Sequence, residues 1–175
     1  MLVAAQAGAP WALTRVYERF SPLVVGYLRL QGAVEPEDLT SEVFLGVFRN
    51  LASFTGDEAG FRSWLLTITH RRLQDERRRL GRRPDTVEFD AASHSTTQGD
   101  VEQEALAELG TDRVCELLQT LSADQRTVLL LRIVGDLSLE QVATAIGKRP
   151  GAVKQLQRRG LNGLRRHLER QDVTL

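Results

Sequence analysis

Residues 137–167, LSLEQVATAIGKRPGAVKQLQRRGLNGLRRH, decide the reading of the fold. Leu139, Val142, Ala143 and Ile146 fall at i, i+3, i+4 and i+7, the spacing that lines one face of a helix. Gly147 is placed to stop that helix, because glycine takes the left-handed conformation that closes a helix end, and Pro150 suits the first position of a new one. A second helix starting there gathers Val153, Leu156 and Leu164 on one side. Lys154, Gln155, Arg158 and Arg159 then point elsewhere, offering cationic and amide groups to phosphates and base edges. Two helices around a short glycine turn predict a helix-turn-helix. The competing reading is a helical hairpin whose arginines only solvate its outer face. Turn length, apolar spacing and the basic second helix agree on the first reading. Arg149 departs from it, standing where Ser, Thr, Asp or Asn would cap better.

A chain of 175 residues forms one or two small domains, and its 42% hydrophobic and 26% charged content is that of a soluble protein. No apolar run approaches the roughly 20 residues that a bilayer span needs. The start, MLVAAQAGAPW, lacks the charged n-region and long apolar core of a secretory signal, so a cytoplasmic location is expected. Cys115 is the only cysteine, which excludes an internal disulfide, and its neighbours Val114, Leu117 and Leu118 predict a core position.

Twenty-three basic and 23 acidic residues cancel, but they are segregated. His70 to Arg83 holds Arg71, Arg72, Arg77, Arg78, Arg79, Arg82 and Arg83 against only Asp75 and Glu76, and Lys148 to Arg170 is nearly as basic. Between them Pro84 to Asp112 carries acids and no Lys or Arg. The zero net charge therefore conceals two basic blocks around an acidic one, a pattern that points to nucleic acid.

Along the chain, Trp11 to Phe20 predicts a first helix closed by Ser21 and Pro22, and Leu23 to Leu30 a second. Pro36, Glu37 and Asp38 mark a third start, followed by the stripe Leu39, Val43, Phe44, Val47, Phe48 and Leu51, with Asp38, Glu42 and Arg49 on the opposite face. Ser53 to Arg62 reads as a loop punctuated by Gly56 and Gly60. Trp64, Leu65, Ile68 and Leu73 then begin a helix that runs into the arginine block. An aromatic-flanked loop beside a cationic helix suits single-stranded nucleic acid, with rings stacking on bases and arginines tracking the backbone. Residues such as Phe54, Phe61 and Trp64 are, however, more often core residues than stacking platforms. Residues 84–99 lack periodicity and read as a linker; helical patterns resume from Asp100, and Ser122 with Gln125 forms a capping-box pattern before Val128, Leu129, Leu131 and Val134. No strand pattern is present. The fold class is all-α: two small helical domains, 1–83 and 100–175, joined by a flexible acidic linker.

The order of these parts carries a resemblance. PEDLTSEVFLGVFRNLASFTGDEAGFRSWLLTITHRRLQDERRR resembles region 2 of the group IV, or extracytoplasmic-function (ECF), sigma factors of bacterial RNA polymerase. LSADQRTVLLLRIVGDLSLEQVATAIGKRPGAVKQLQRRGLNGLRRHL resembles region 4 of the same family. The likeness covers about Pro10 to His167. It implies that Asp38, Leu39, Glu42, Val43 and Phe44 dock on the clamp helices of the polymerase beta-prime subunit, with the beta flap as a further contact. It implies minus-10 recognition by Phe54, Phe61, Trp64, Arg71, Arg72, Arg78 and Arg79, the loop 53–61 capturing a flipped base. It assigns the minus-35 element to Gly151, Ala152, Lys154, Gln155, Arg158 and Arg159. The acidic linker looks like the segment that threads the polymerase along the path of nascent RNA. Ser41, Arg71, Gln155 and Leu156 depart from common family residues, so the resemblance does not give individual base contacts.

Energetics fits a factor that works with a larger partner. Unstacking costs about 1.4 kcal/mol per base step, so roughly ten steps cost on the order of 14 kcal/mol. A stacked or flipped base returns only about 1–3 kcal/mol. A relaxed linker of about sixteen residues spans roughly 22 Å, whereas sites two helical turns apart lie roughly 70 Å from each other. The resemblance accordingly implies a non-enzymatic initiation factor with core RNA polymerase and promoter DNA as partners, and an anti-sigma factor as its regulator. The acidic linker is also expected to cover the arginine blocks in the free protein.

Two other classes compete: an autonomous dimeric helix-turn-helix regulator, for which no apolar heptad seam is visible, and an adaptor whose acidic face captures basic partners, which leaves both arginine blocks unused. His70, His94 and His167 do not cluster with Cys115 at metal-ligand spacing, and neither a nucleophile-base pair nor a glycine-rich phosphate loop is found, so no metal, cofactor or catalysis is expected.

Overall fold

The apolar stripes of the first half lie on helices that pack on one another and bury most of their residues, Trp11 at 63% exposed being an exception. The computed structural model describes residues 1–81 and 113–172, and among these all regular structure is helical. A short helix α1 (Leu2–Gln6) leads into α2 (Pro10–Leu30), α3 (Pro36–Asn50), a 3-10 turn (Leu51–Ser53) and α4 (Glu58–Leu80). Helices α2, α3 and α4 pack on one another around Val16, Phe20, Leu28, Val43, Phe44 and Leu65. The second half holds a helical stretch over 113–119 (α5), then α6 (Ala123–Ile133), α7 (Leu139–Ile146) and α8 (Pro150–Asp172).

The helix boundaries follow local chemistry. Pro36 opens α3 with Glu37 and Asp38 in its first turn, where they complement the helix dipole. Ser122 caps α6 reciprocally with Gln125, as its sequence pattern predicts. One expectation is corrected: Ser21 and Pro22 do not end a helix, and α2 runs unbroken through Pro22. A proline inside a helix forfeits a hydrogen bond and crowds the preceding turn. Here Val16 and Phe20 before it, and Val24, Tyr27 and Leu28 after it, all bury on one face, so tertiary packing overrides the local breaker. The linker 84–99 and the helical pattern from Asp100 to Leu109 lie outside the described residues.

The two halves meet. Helix α4 packs on α7, and Gly135, in the corner between α6 and α7, approaches α4 so closely that a Cβ there would lie 2.7 Å from Leu66 Cδ1. Beside it runs a buried polar chain. Tyr27 Oη lies 3.0 Å from His70 Nδ1, and the Gln31 side-chain amide donates to Tyr27 Oη at 3.1 Å and to Thr127 Oγ1 of α6 at 3.0 Å. Arg77 donates to the Gln31 carbonyl, and Arg62 Nη2 donates to the Val134 carbonyl at the end of α6 at 2.9 Å.

Candidate nucleic-acid interface

The helix-turn-helix is set by its turn. Ser138 accepts from Gln141 N at 3.2 Å while Gln141 Oε1 accepts from Ser138 N at 2.7 Å, so the backbone N–H groups of Ser138 and Gln141 at the start of α7 are both satisfied. Gly147 ends α7 in the left-handed region, at φ 66° and ψ 32°, as its position predicts. Lys148 N then returns to Ala143 O at 3.0 Å, and Lys148 Nζ lies 2.9 Å from Asp124 at the start of α6, pinning the turn.

Helix α8 is held from beneath. Val153 is fully buried, and Gly160 brings α8 against α6, where an added Cβ would sit 3.0 Å from Leu129 Cδ1. With that face fixed, Gly151, Ala152, Lys154, Gln155, Arg158 and Arg159 are all exposed along the helix. A helix carrying backbone without bulk at its start and Lys, Gln and Arg after it can enter a major groove, neutralise phosphates and offer an amide to a base edge.

A second cationic surface lies on α4. Arg71, Arg72, Arg78 and Arg79 are exposed, and Arg78 is held 2.6 Å from Asp75. The loop before α4 is shorter than the reading of 53–62 predicts. Asp57 caps α4 by accepting from Gly60 N at 2.8 Å, so Gly60 lies inside the helix rather than in the loop. The aromatic residues form one cluster: Phe54 and Trp64 are 5.2 Å apart between ring centroids, and Phe61 is 5.6 Å from Phe54 and 5.8 Å from Trp64. Phe61 also meets Phe20 edge-on at 5.0 Å and is 0% exposed, so in this conformation its ring offers no face to a base. It instead supports Phe54 and Trp64, which are half-buried.

Helix α3 divides in the same way. Leu39, Val43 and Phe44 are buried, Phe44 against Tyr17 at 4.8 Å, so their side chains hold the helix rather than meeting a partner. Its outer face carries Asp38, Ser41, Glu42, Arg49 and Leu45, the last 58% exposed. Leu45 was missed in the sequence reading. An apolar residue out of phase with the stripe 39, 43, 44, 47 was the available signal.

The comparisons with known proteins define the class first. The family model for Sigma-70 region 2 matches residues 16–83, and that for Sigma-70, region 4 matches residues 117–166. The ECF RNA polymerase sigma factor SigD of Mycobacterium tuberculosis is 33% identical over 92% of this chain and 79% of its own length. The ECF RNA polymerase sigma factor BldN of Streptomyces coelicolor is 31% identical over 94% of this chain, which spans 63% of that relative's length. Among solved structures, CnrH in complex with the cytosolic domain of CnrY shares the fold at a TM-score of 0.67 and 22% identity, over 96% of this chain and 94% of that one. The sigma factor RpoE of Bartonella quintana, in complex with the anti-sigma factor NepR, does so at a TM-score of 0.68 and 23% identity, over 89% and 96%. The chain belongs to the ECF RNA polymerase sigma factor family. No described helix is long and apolar enough to cross a membrane.

Proposed function

We propose that this chain is a non-enzymatic, cytoplasmic initiation factor that binds core RNA polymerase, brings it to particular promoters and assists melting of the minus-10 element. The observation that carries this reading is the pairing, in one member of the ECF family, of an exposed Lys-Gln-Arg face on the second helix of a helix-turn-helix with a second cationic helix beside an aromatic cluster. In this reading residues 1–83 dock on the polymerase and read the minus-10 element, 84–99 tether, and 100–175 read the minus-35 element. Polymerase docking falls to the outer face of α3, through Asp38, Glu42 and Leu45. Base capture falls to the short loop 54–57 with Phe54 and Trp64, strand guidance to Arg71, Arg72, Arg78 and Arg79. Major-groove contact falls to Gly151, Ala152, Lys154, Gln155, Arg158 and Arg159. Control by an anti-sigma factor is supported by the RpoE structure, which is a complex with one.

Run-off transcription from a promoter library with purified core polymerase, with and without the chain, tests this. Transcripts that require the chain and come from promoters sharing two spaced elements are expected. Tight binding of the chain alone to one duplex site, with no association to core enzyme, would sink the proposal in favour of an autonomous regulator.

A further inference from the structure

We infer that the short helix α1 belongs to the minus-10 reader: through Gln6 it holds the loop 54–57 in the conformation that receives a base, which makes Gln6 a positioning residue for strand capture. Helix α1 reads Leu-Val-Ala-Ala-Gln, and Gln6 is its only polar side chain. Five residues are too few to sustain a helix in water; this one is held by Ala5, 3% exposed, and packs on α2 and on the 3-10 turn. Gly8, at φ 80°, then turns the chain toward α2. The family match to region 2 begins at residue 16, so α1 lies before it.

Gln6 Nε2 donates to Phe54 O at 2.6 Å and reaches Leu51 O at 3.4 Å. Both partners are carbonyls, so the two N–H donors of the amide face them. Leu51 O also accepts from Phe54 N at 3.1 Å, so the amide clasps the 3-10 turn at the residue where the loop leaves it. The far end of the loop is fixed by Asp57, which caps α4. Between these ends the Phe54 ring lies against Gly56, which is at φ 147°, and an added Cβ there would stand 3.0 Å from Phe54 Cζ. Phe54 is thus held by its carbonyl on the α1 side and by its ring on the Gly56 side.

The half-buried rings of Phe54 and Trp64 are therefore set 5.2 Å apart before any strand arrives. A loop ordered in advance loses less freedom on binding, and affinity rises by that difference. With Gln6 removed, the loop would have to be ordered by the base itself, so capture of the base weakens. Contacts of the α4 arginines with phosphates do not pass through the loop and remain. The consequence for DNA rests on the sigma-factor reading, whereas the tie between Gln6 and the loop does not.

Two measurements on the full chain separate them. With core polymerase bound, affinity is measured for the non-template strand of a promoter that the chain directs, intact and with each minus-10 base removed in turn. The natural protein should prefer the intact strand to the one lacking the captured base. Gln6→Met, which keeps the length and removes both donors, should cut that preference about fivefold, while the strand lacking that base binds the natural and variant proteins alike. Gln6→Glu, which turns oxygens toward both carbonyls, should do the same, and it decides the matter if Gln6→Met loses its helical circular dichroism. An unchanged preference, or an equal loss on intact and base-deleted strands, overturns the inference. In the free chain, Trp11→Phe leaves Trp64 as the only tryptophan, and either Gln6 variant should then make it more accessible to acrylamide quenching. Unchanged quenching overturns the tie between Gln6 and the loop. If the natural protein with core polymerase does not distinguish the strands at all, the base-capture reading fails, while Trp64 quenching still judges the tie.

Discussion

Lys154 and Gln155 stand side by side on the exposed face of α8, yet their chemistry separates their effects. An ammonium meets phosphate as a point charge and carries no sequence information, whereas a side-chain amide can pair two ways with adenine. Lys154→Ala should therefore weaken binding of the polymerase complex across promoters and lower the salt slope by about one. Gln155→Ala should cost about 1–3 kcal/mol on a matched minus-35 element and little on a scrambled one. Equal losses on both duplexes in a salt-titrated binding assay would remove Gln155 from base reading. The residue scale also explains why α3 was only half readable. Its stripe of Leu39, Val43 and Phe44 was evident as periodicity, but periodicity does not say whether an apolar side chain faces the core or a partner. Burial assigns those three to the core and leaves Leu45 outside.

At the scale of elements, start and stop signals were the most readable feature, because caps are local chemistry. Gly147, Pro150, Pro36 and the Ser122–Gln125 box act where their patterns place them. The same S-x-x-Q pattern at Ser138–Gln141 and the Asp57 cap of α4 were written equally plainly and were overlooked. Pro22 was misread because its effect is decided by the long-range burial of α2, which no short window contains. These caps should be measurable. Ser138→Ala removes one arm of a reciprocal pair and is expected to cost about 1 kcal/mol in urea unfolding. Gly147→Ala meets no steric obstacle, since nothing lies within 4 Å of the added Cβ, so its cost is the left-handed backbone alone, about 1 kcal/mol. Gly147→Asn should recover part of that loss, because asparagine visits this region. If alanine and asparagine destabilise equally, the turn is not limited by backbone conformation.

Across the whole molecule, the contact between the halves was the least readable feature, because Gln31 and Thr127 are 96 residues apart and neither belongs to an apolar stripe. Their setting predicts a pH response. His70 is 7% exposed, and burial, reinforced by the Arg77 charge, lowers its pKa from 6.5 to about 4, with Asp124 of α6 opposing and Arg71 adding to the shift. The imidazole is thus neutral when folded, with Nδ1 free to accept from Tyr27. As pH falls below 6.5 the unfolded chain takes up a proton that the folded chain refuses, so stability declines from about pH 6.5 to about pH 4, and this group adds nothing further below that. At 1.36 kcal/mol per unit the loss is on the order of 3 kcal/mol. Carboxylates titrate in the same range, so the test is a difference: urea unfolding of the natural chain and of His70→Asn, which keeps a neutral acceptor near the Nδ1 position, at several pH values from 7.5 to 4. The natural chain should lose stability more steeply than His70→Asn on acidification across this range, because only its unfolded state takes up the proton. Parallel slopes for the two proteins would mean that His70 is not neutral in the folded state.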